Sequence, residues 1–338
     1  MSLGRFLTKR VLLSLLVLLG LSVMIFIIAR IIPGNPARLA LGEKASQEAV
    51  DRLCEEMHLN DPLYKQYGYW IQGVFRGDFG NSLNTKRPVA EDIRDFLPAT
   101  LELVLFSAVL IVLFAILFGR VATRFRNRWP DTLIRVSAYI GVAMPSFVLA
   151  TFFVLLFGAK SQAIPVLGRL TTGVSVAPVT GFMLVDTLLA GDMAAFGDAF
   201  IHLLLPALAL ACAPMFSEAR IIRSAMLDNM NKDYLTAHKG YGIPNGLIMR
   251  KYLLKPSLIP AVSTLGLDIA ALAGNAFLVE SIFAWPGISR YGTTAILAKD
   301  LNAISAVILI FGIMFVAVNI LVDIVVSMLD PRIRLGGE

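Results

Sequence analysis

Five acids or amides interrupt long apolar runs of this chain: Asp268, Asn275, Glu280, Asn319 and Asp323. An ionised side chain at the centre of a bilayer costs roughly 3 kcal/mol or more unless it faces a bundle interior, a partner or water. If these runs cross a membrane, each of the five marks either a contact between helices or a polar pathway. Asp323 and Glu280 fall near the ends of their runs, where interhelical pairing or an interfacial position accounts for them. Asp268 is the better candidate for a pathway or a tight internal contact, with Asn275 further along the same run.

The other reactive side chains do not assemble into a centre. His58, His202 and His238 lie in separate segments with no cysteine or carboxylate at metal-ligand spacing, so no metal site is expected. Cys54 and Cys212 fall in an external segment and in a span, which rules out a disulfide between them. There is no G-x-x-x-x-G-K-[ST] stretch, and no Ser/His or paired-carboxylate arrangement in a plausible cleft. The chain is therefore expected to be no enzyme and to need no cofactor of its own. If it moves a solute uphill, the energy must come from another subunit or from an ion gradient.

The elements that position these residues follow from composition. Of 338 residues, 57% are hydrophobic and 16% charged, and the mean hydropathy is +0.73. That is too apolar for a soluble domain, which must cover itself with polar surface. About 20 apolar residues cross the hydrocarbon core, and such runs lie near residues 11–32, 98–119, 134–158, 199–217, 258–281 and 301–328. The competing reading of the first run is a cleaved signal peptide. It carries no charge from Val11 to Ala29 and ends in RIIPGNP without a small-residue cleavage pattern, so it reads as a retained span. The net charge of +6 is spread around span ends rather than gathered in one patch, which fits lipid contact and not nucleic acid.

Basic residues near span ends mark the inner face. Arg120, Arg124, Arg126 and Arg128 in the second connection stand against one acid, Asp131, whereas residues 282–300 hold only Arg290 and Lys299. Even-numbered connections and both termini are therefore expected inside the cell. Residues 33–97 form an external subdomain in which SQEAVDRLCEEMHL, opening on a Ser cap, and LYKQYGYWIQGVF read as helices. Its Tyr64, Tyr67, Tyr69 and Trp70 suit the membrane–water interface. A second external segment, 159–198, is poor in charge and rich in Gly, Thr and Pro, and reads as a structured loop. Pro145, Pro206 and Pro214 are each expected to bend a span.

The inner connection around 219–260 is no plain linker. In DYLTAHKGYGIPNGLIMRKYLLKPSLIP, Asp233 is placed to cap a short helix to which Tyr234, Leu235 and Ala237 give a partly apolar face, followed by His238 and Lys239. Gly240 and Gly242 stop it, Ile243 and Pro244 make the turn, and NGLIMRKYLL returns toward the membrane as a second helix. A short helix standing off the membrane between two spans is a shape that another protein's groove can receive.

This stretch resembles the cytoplasmic loop of binding-protein-dependent ATP-binding-cassette importer permeases, in which a glycine is followed some eighteen residues on by an apolar residue and proline. Gly242 and the LIP ending at Pro260 match that spacing. IIPGNP, LNDPLYKQY, RGDFGNSL, RPV, FLPATLEL, RSAMLDNMNKDYLTA, ESIFAWPGISRYG, VNILVDIV and LDPRIR are similar, in order and position, to the peptide and nickel group of these permeases. PVTGFMLVDTLLAGD resembles the longer external loop of the dipeptide branch. Gly240 and Tyr241 stand where the family usually has an acid or alanine and then a lysine, Lys239 being displaced by two positions. Asn35 replaces a frequent Asp, and Asp268 a frequent Gln.

The resemblance implies an all-α membrane protein with the type I importer permease fold: six transmembrane helices and a helical external subdomain between the first and second. Residues 1–32 would be the N-terminal segment and first span, 33–97 the external subdomain, and 98–338 the core, including the loop 159–198 and the coupling loop 219–257. It further implies a homologous second permease, two ATPase subunits that carry ATP and Mg²⁺, and a periplasmic or lipid-anchored solute-binding protein at a bacterial inner membrane. Dipeptides or short peptides are the first substrate class and nickel or a metal–chelator complex the second. An ion-coupled secondary transporter using Asp268 or Glu280 as a relay is the distant alternative.

Overall fold

The computed structural model describes residues 3–31, 36–42, 45–56, 58–158 and 165–329. Among these residues every regular element is helical, apart from one isolated bridge between Asn81 and Pro88. Backbone groups inside a bilayer have no water to bond, and a helix satisfies them within its own segment. Five helices are long and apolar enough to cross: α1 (Leu3–Ile31), α5 (Val89–Arg124), α9 (Met193–Met230), α12 (Leu254–Ile282) with its N-terminal extension, and α14 (Leu301–Leu329). Between α1 and α5 lie three short helices, α2 (Pro36–Leu41), α3 (Gln47–Glu56) and α4 (Leu63–Phe75). The Ser46 hydroxyl accepts from the Ala49 amide at the start of α3. Tyr67 and Trp70 of α4 pack on Phe26 of α1, while Tyr64 and Tyr69 stay exposed.

The run at 134–158 is not one straight span. It is α6 (Trp129–Ala143) and α7 (Ser146–Gly158), bent by 104°. A residue before proline is driven out of helical conformation, and Met144 sits at φ −96°, ψ 116°. Pro145 then accepts from the amides of Val148 and Leu149, opening α7 at a position where its missing N–H costs nothing. Pro206 and Pro214 leave their span unbroken: α9 runs through both as one helix, packed against α5, α6, α7 and α12, with Pro214 on the wall of an open groove.

The bundle is ordered outward from α9. α5 and α12 lie against it, α14 lies against α12, and α1 lies against α14. Small residues permit the closest approach: a Cβ added to Gly119 of α5 would meet Ile222 and the Ala219 carbonyl of α9. Arg10 and Asp323 pair at 3.1 Å where α1 meets α14, which gives Asp323 an interhelical partner. Asn319 bonds back to its own helix at the Phe315 carbonyl.

Glu280 is fully buried at the far end of α12. Its carboxylate accepts from the Thr100 hydroxyl at 2.6 Å and from the Arg290 amide at 2.8 Å, and Thr100 in turn accepts from the Ile288 amide at 2.8 Å. One carboxyl group thus joins α12, α5 and the N-terminus of α13 (Ile288–Leu297). A Cβ on Gly287 would run into this carboxylate. Trp285 seals the joint, its indole N–H donating to the Ala99 carbonyl at 2.9 Å. Nearby, buried Asp300 accepts from Ser82, Leu83 and Asn84 and anchors the segment before α5.

Each buried polar group left without its partner costs about 1–3 kcal/mol. Glu280→Ala strands the Arg290 amide and removes the anchor of α13, so thermal unfolding of the detergent-purified protein is expected to show a loss of at least about 2 kcal/mol, with Glu280→Gln losing less.

Candidate coupling helix and polar groove

Two features stand out beyond the packing. The first is α10 (Asp233–Gly240), which follows α9 after a two-residue break. Leu235 alone among its residues is buried, set among Met226, Ile248 and Leu253. His238 packs against Tyr252 with ring centroids 4.2 Å apart and the planes tilted by 45°. Burial pushes the Tyr234 hydroxyl above its ordinary pKa, and that hydroxyl reaches toward the Tyr252 carbonyl at 3.5 Å. The apolar face is narrower than the sequence implied: Ala237 and Tyr234 remain exposed, as do Asp233, Lys239, Gly240, Tyr241 and Pro244.

Two local details also differ from the sequence reading. Asp233 is not the cap; Lys232 occupies the N-cap position without a side-chain bond, and Asp233 is the first helical residue, where its charge faces the positive helix end. Gly240 is the last residue of α10 rather than its stop. The stop is Gly242, at φ +74°, beside which the Ile243 amide reaches back to the His238 carbonyl at 3.1 Å. Glycine is favoured there because a side chain at positive φ is strained. The expected second helix is likewise not separate. α11 (Asn245–Leu247) leads into a π-helical turn (Ile248–Leu253) and directly into α12, so the return is the start of the span itself.

The second feature is an open cavity of about 590 Å³ whose walls come from the α6–α7 break, α9 and α12. Its polar groups are Ser146, Ser217, Asp268 and Asn275. Asp268 and Asn275 are therefore brought to one wall, seven residues apart on α12, and Glu280 is not among the lining residues. The broken third span exposes Met144, Pro145 and Ser146 to this cavity, so the kink shapes the groove.

The sequence reading missed Glu218. The apolar run ends at 217 in the sequence, whereas α9 continues to Met230. Ala211, Met215, Glu218 and Ile222 are all buried, and their four-three-four spacing is the signal that places an acid on a packed face. Glu218 stands next to Asp268, so a carboxyl pair exists where none was expected. Among the described residues no three His, Cys, Asp or Glu side chains come together as a metal site. Cys54 and Cys212 form no disulfide.

At the opposite end from α10, the segment before α9 is tied down around α8 (Met183–Leu189). Arg169 donates to Glu102 and to the Gly181 carbonyl, and the Leu184 amide donates to Glu102. Asp186 accepts from the Thr180 amide at 2.8 Å, its hydroxyl at 2.6 Å, and the Gly181 amide at 3.0 Å. Burial alone would raise the Asp186 pKa, but the bonds from Thr180 and Gly181 outweigh it and hold the carboxyl below its ordinary value. The folded pKa is thus the lower one, so its contribution to stability is present above the unfolded value of about 3.9 and fades as pH falls through the folded value. Pepsin cleavage within 165–190 is expected to rise only below about pH 4, and Asp186→Asn is expected to remove that pH dependence.

Comparison with known proteins places these features in a family. A family model described as "Binding-protein-dependent transport system inner membrane component" matches residues 91–335, and one described as "Binding-prot-dependent transport system membrane comp, N-term" matches residues 3–104. The chain is 40% identical over 323 residues to the probable D,D-dipeptide transport system permease protein DdpB of Escherichia coli (strain K12), covering 95% of each chain. It is 37% identical to the dipeptide transport system permease protein DppB of Alkalihalophilus pseudofirmus, covering 96% of this chain and 98% of that one. It is 30% identical to the glutathione transport system permease protein GsiC of Escherichia coli (strain K12), covering 96% and 97%. With its spanning helices and these matches along nearly its whole length, the chain belongs to the inner-membrane permease family of binding-protein-dependent transport systems.

Proposed function

We propose that this chain forms half of the translocation pathway of an ATP-driven importer of dipeptides or short peptides, in the bacterial inner membrane with α10 on the cytoplasmic side. The observation that carries the proposal is the pairing of α10 with the groove. One buried residue, Leu235, fastens α10 to the bundle while its remaining surface stays open to a partner. The π-helical turn then joins α10 to α12, the helix that carries Asp268 into the groove. A push on α10 by a moving partner reaches the groove wall through the short turn at Tyr241–Pro244 and the helix that follows it.

The implied partners are a second permease across the open groove, two ATPase subunits under α10 that carry ATP and Mg²⁺, and a solute-binding protein at the opposite end, where α8, α13 and the 165–189 segment lie. Orientation rests on the four arginines between Arg120 and Arg128. Dipeptide and glutathione names among the relatives favour peptides and set nickel aside. The relatives are transport permeases, so catalysis falls to the ATPase partners.

Gly242→Arg tests the coupling role. No atom crowds Gly242, so the variant inserts and pairs with the second permease. The added side chain and the strain of roughly 1–2 kcal/mol at positive φ should disturb docking, with a fall of about tenfold or more in binding-protein-stimulated ATP hydrolysis. Unchanged stimulation would move the docking surface elsewhere.

A further inference from the structure

Asp268 opens on the groove and is half-buried, whereas Glu218 on the adjoining face of α9 is 1% exposed. The two carboxyl groups meet across the α9–α12 seam, with Thr264 the other polar side chain at that point. Neither Glu218 oxygen has a hydrogen-bond partner. The Thr264 hydroxyl is directed to the carbonyls of Pro260 and Ala261. Behind Glu218 lies a cavity of about 170 Å³ with otherwise apolar walls, Val112, Ile116 and Leu265 among them. Arg223, the next buried-side cation along α9, is committed to Asp131 through two bonds of 2.6 and 2.8 Å.

Two carboxylates in contact at low dielectric do not both ionise, so the pair shares one proton and keeps one negative charge. Among the described residues no cation pairs with Glu218 or Asp268, and Ser217, Ser146 and Asn275 add neutral polar groups around the same groove. The site therefore offers acceptors in excess of donors. A primary ammonium has three donors and no acceptor, which is the complement of this surface. A carboxylate on the ligand, by contrast, would be repelled.

We propose that Glu218 and Asp268 act as one recognition point for a primary ammonium passing through the groove, the group that an unblocked peptide carries at its N-terminus; this rests on the peptide-importer reading above. No covalent bond changes. The ammonium and the carboxyl pair each keep their protons, and the wall goes from one negative charge to neutral while the ligand is held. Asp268 makes the contact. Glu218 lies behind it and acts by keeping the second oxygen set and the shared proton in place, so it is a positioning residue.

The test uses the assembled importer in lipid nanodiscs with Ala-Ala as the probe and N-acetyl-Ala-Ala as the control that lacks the ammonium. Infrared spectra should show a protonated carboxyl band that Glu218→Gln removes and Asp268→Asn shifts. Adding Ala-Ala should shift that band and adding N-acetyl-Ala-Ala should not. In proteoliposomes with the binding protein, Asp268→Asn should slow Ala-Ala uptake about tenfold or more, and Asp268→Glu should recover part of it. A wild-type spectrum with no such band, an equal shift with both probes, or full uptake by Asp268→Asn would overturn the proposal. A complex that shows the ammonium-specific shift but imports no dipeptide would retire the peptide reading and leave the recognition point standing.

Discussion

Nothing in the hydrocarbon core bonds to a polar group, so each one this chain carries into its bundle must be answered by another part of the chain. Glu280 shows what a full answer achieves. Its bonds to Thr100 and to the α13 backbone convert a costly buried carboxyl into the joint between α5, α12 and α13. Asp323 is answered by Arg10, and Asp131 by Arg223. With these groups satisfied, α9 can hold the centre of the bundle on small residues and close packing. Glu218 is an exception: neither of its oxygens has a partner, and it lies beside the groove that Asp268 lines.

The same constraint separates the two ends of the molecule. At the α13 end, loops are tied to the spans by Asp300, Glu102 and Asp186, each accepting several bonds. At the other end α10 is fastened by one leucine and a ring contact, with most of its polar and small residues outward. A surface so lightly satisfied by its own chain suits a soluble partner. A four-residue turn, Tyr241–Pro244, joins it to α11, whose helix runs through the π-helical turn into α12, so movement there has a short covalent route to Asp268 and Asn275.

Much of this was legible in the sequence because hydrophobic runs and helix periodicity report directly on burial. The spans, the helices at Gln47–Glu56 and Leu63–Phe75, and the isolated α10 follow from such patterns. Three things were not legible. The prolines look alike in the sequence, yet Pro145 starts a helix and breaks the span while Pro206 and Pro214 sit inside one continuous helix. The cap at Asp233 failed because Lys232 already adopts the extended N-cap conformation. Glu218 was hidden by an assumed span end, and only the continuation of α9 to Met230 puts it beside Asp268.

The central claim is that α10 is where an ATPase docks. Site-directed crosslinking tests it most directly, in a chain whose two cysteines are replaced by serine. A cysteine at exposed Ala237 on α10 should crosslink to an ATP-binding subunit in native membranes, and one at exposed Leu189 on α8 should not. An ATPase adduct at Leu189 with none at Ala237 would contradict both the docking site and the orientation of the chain.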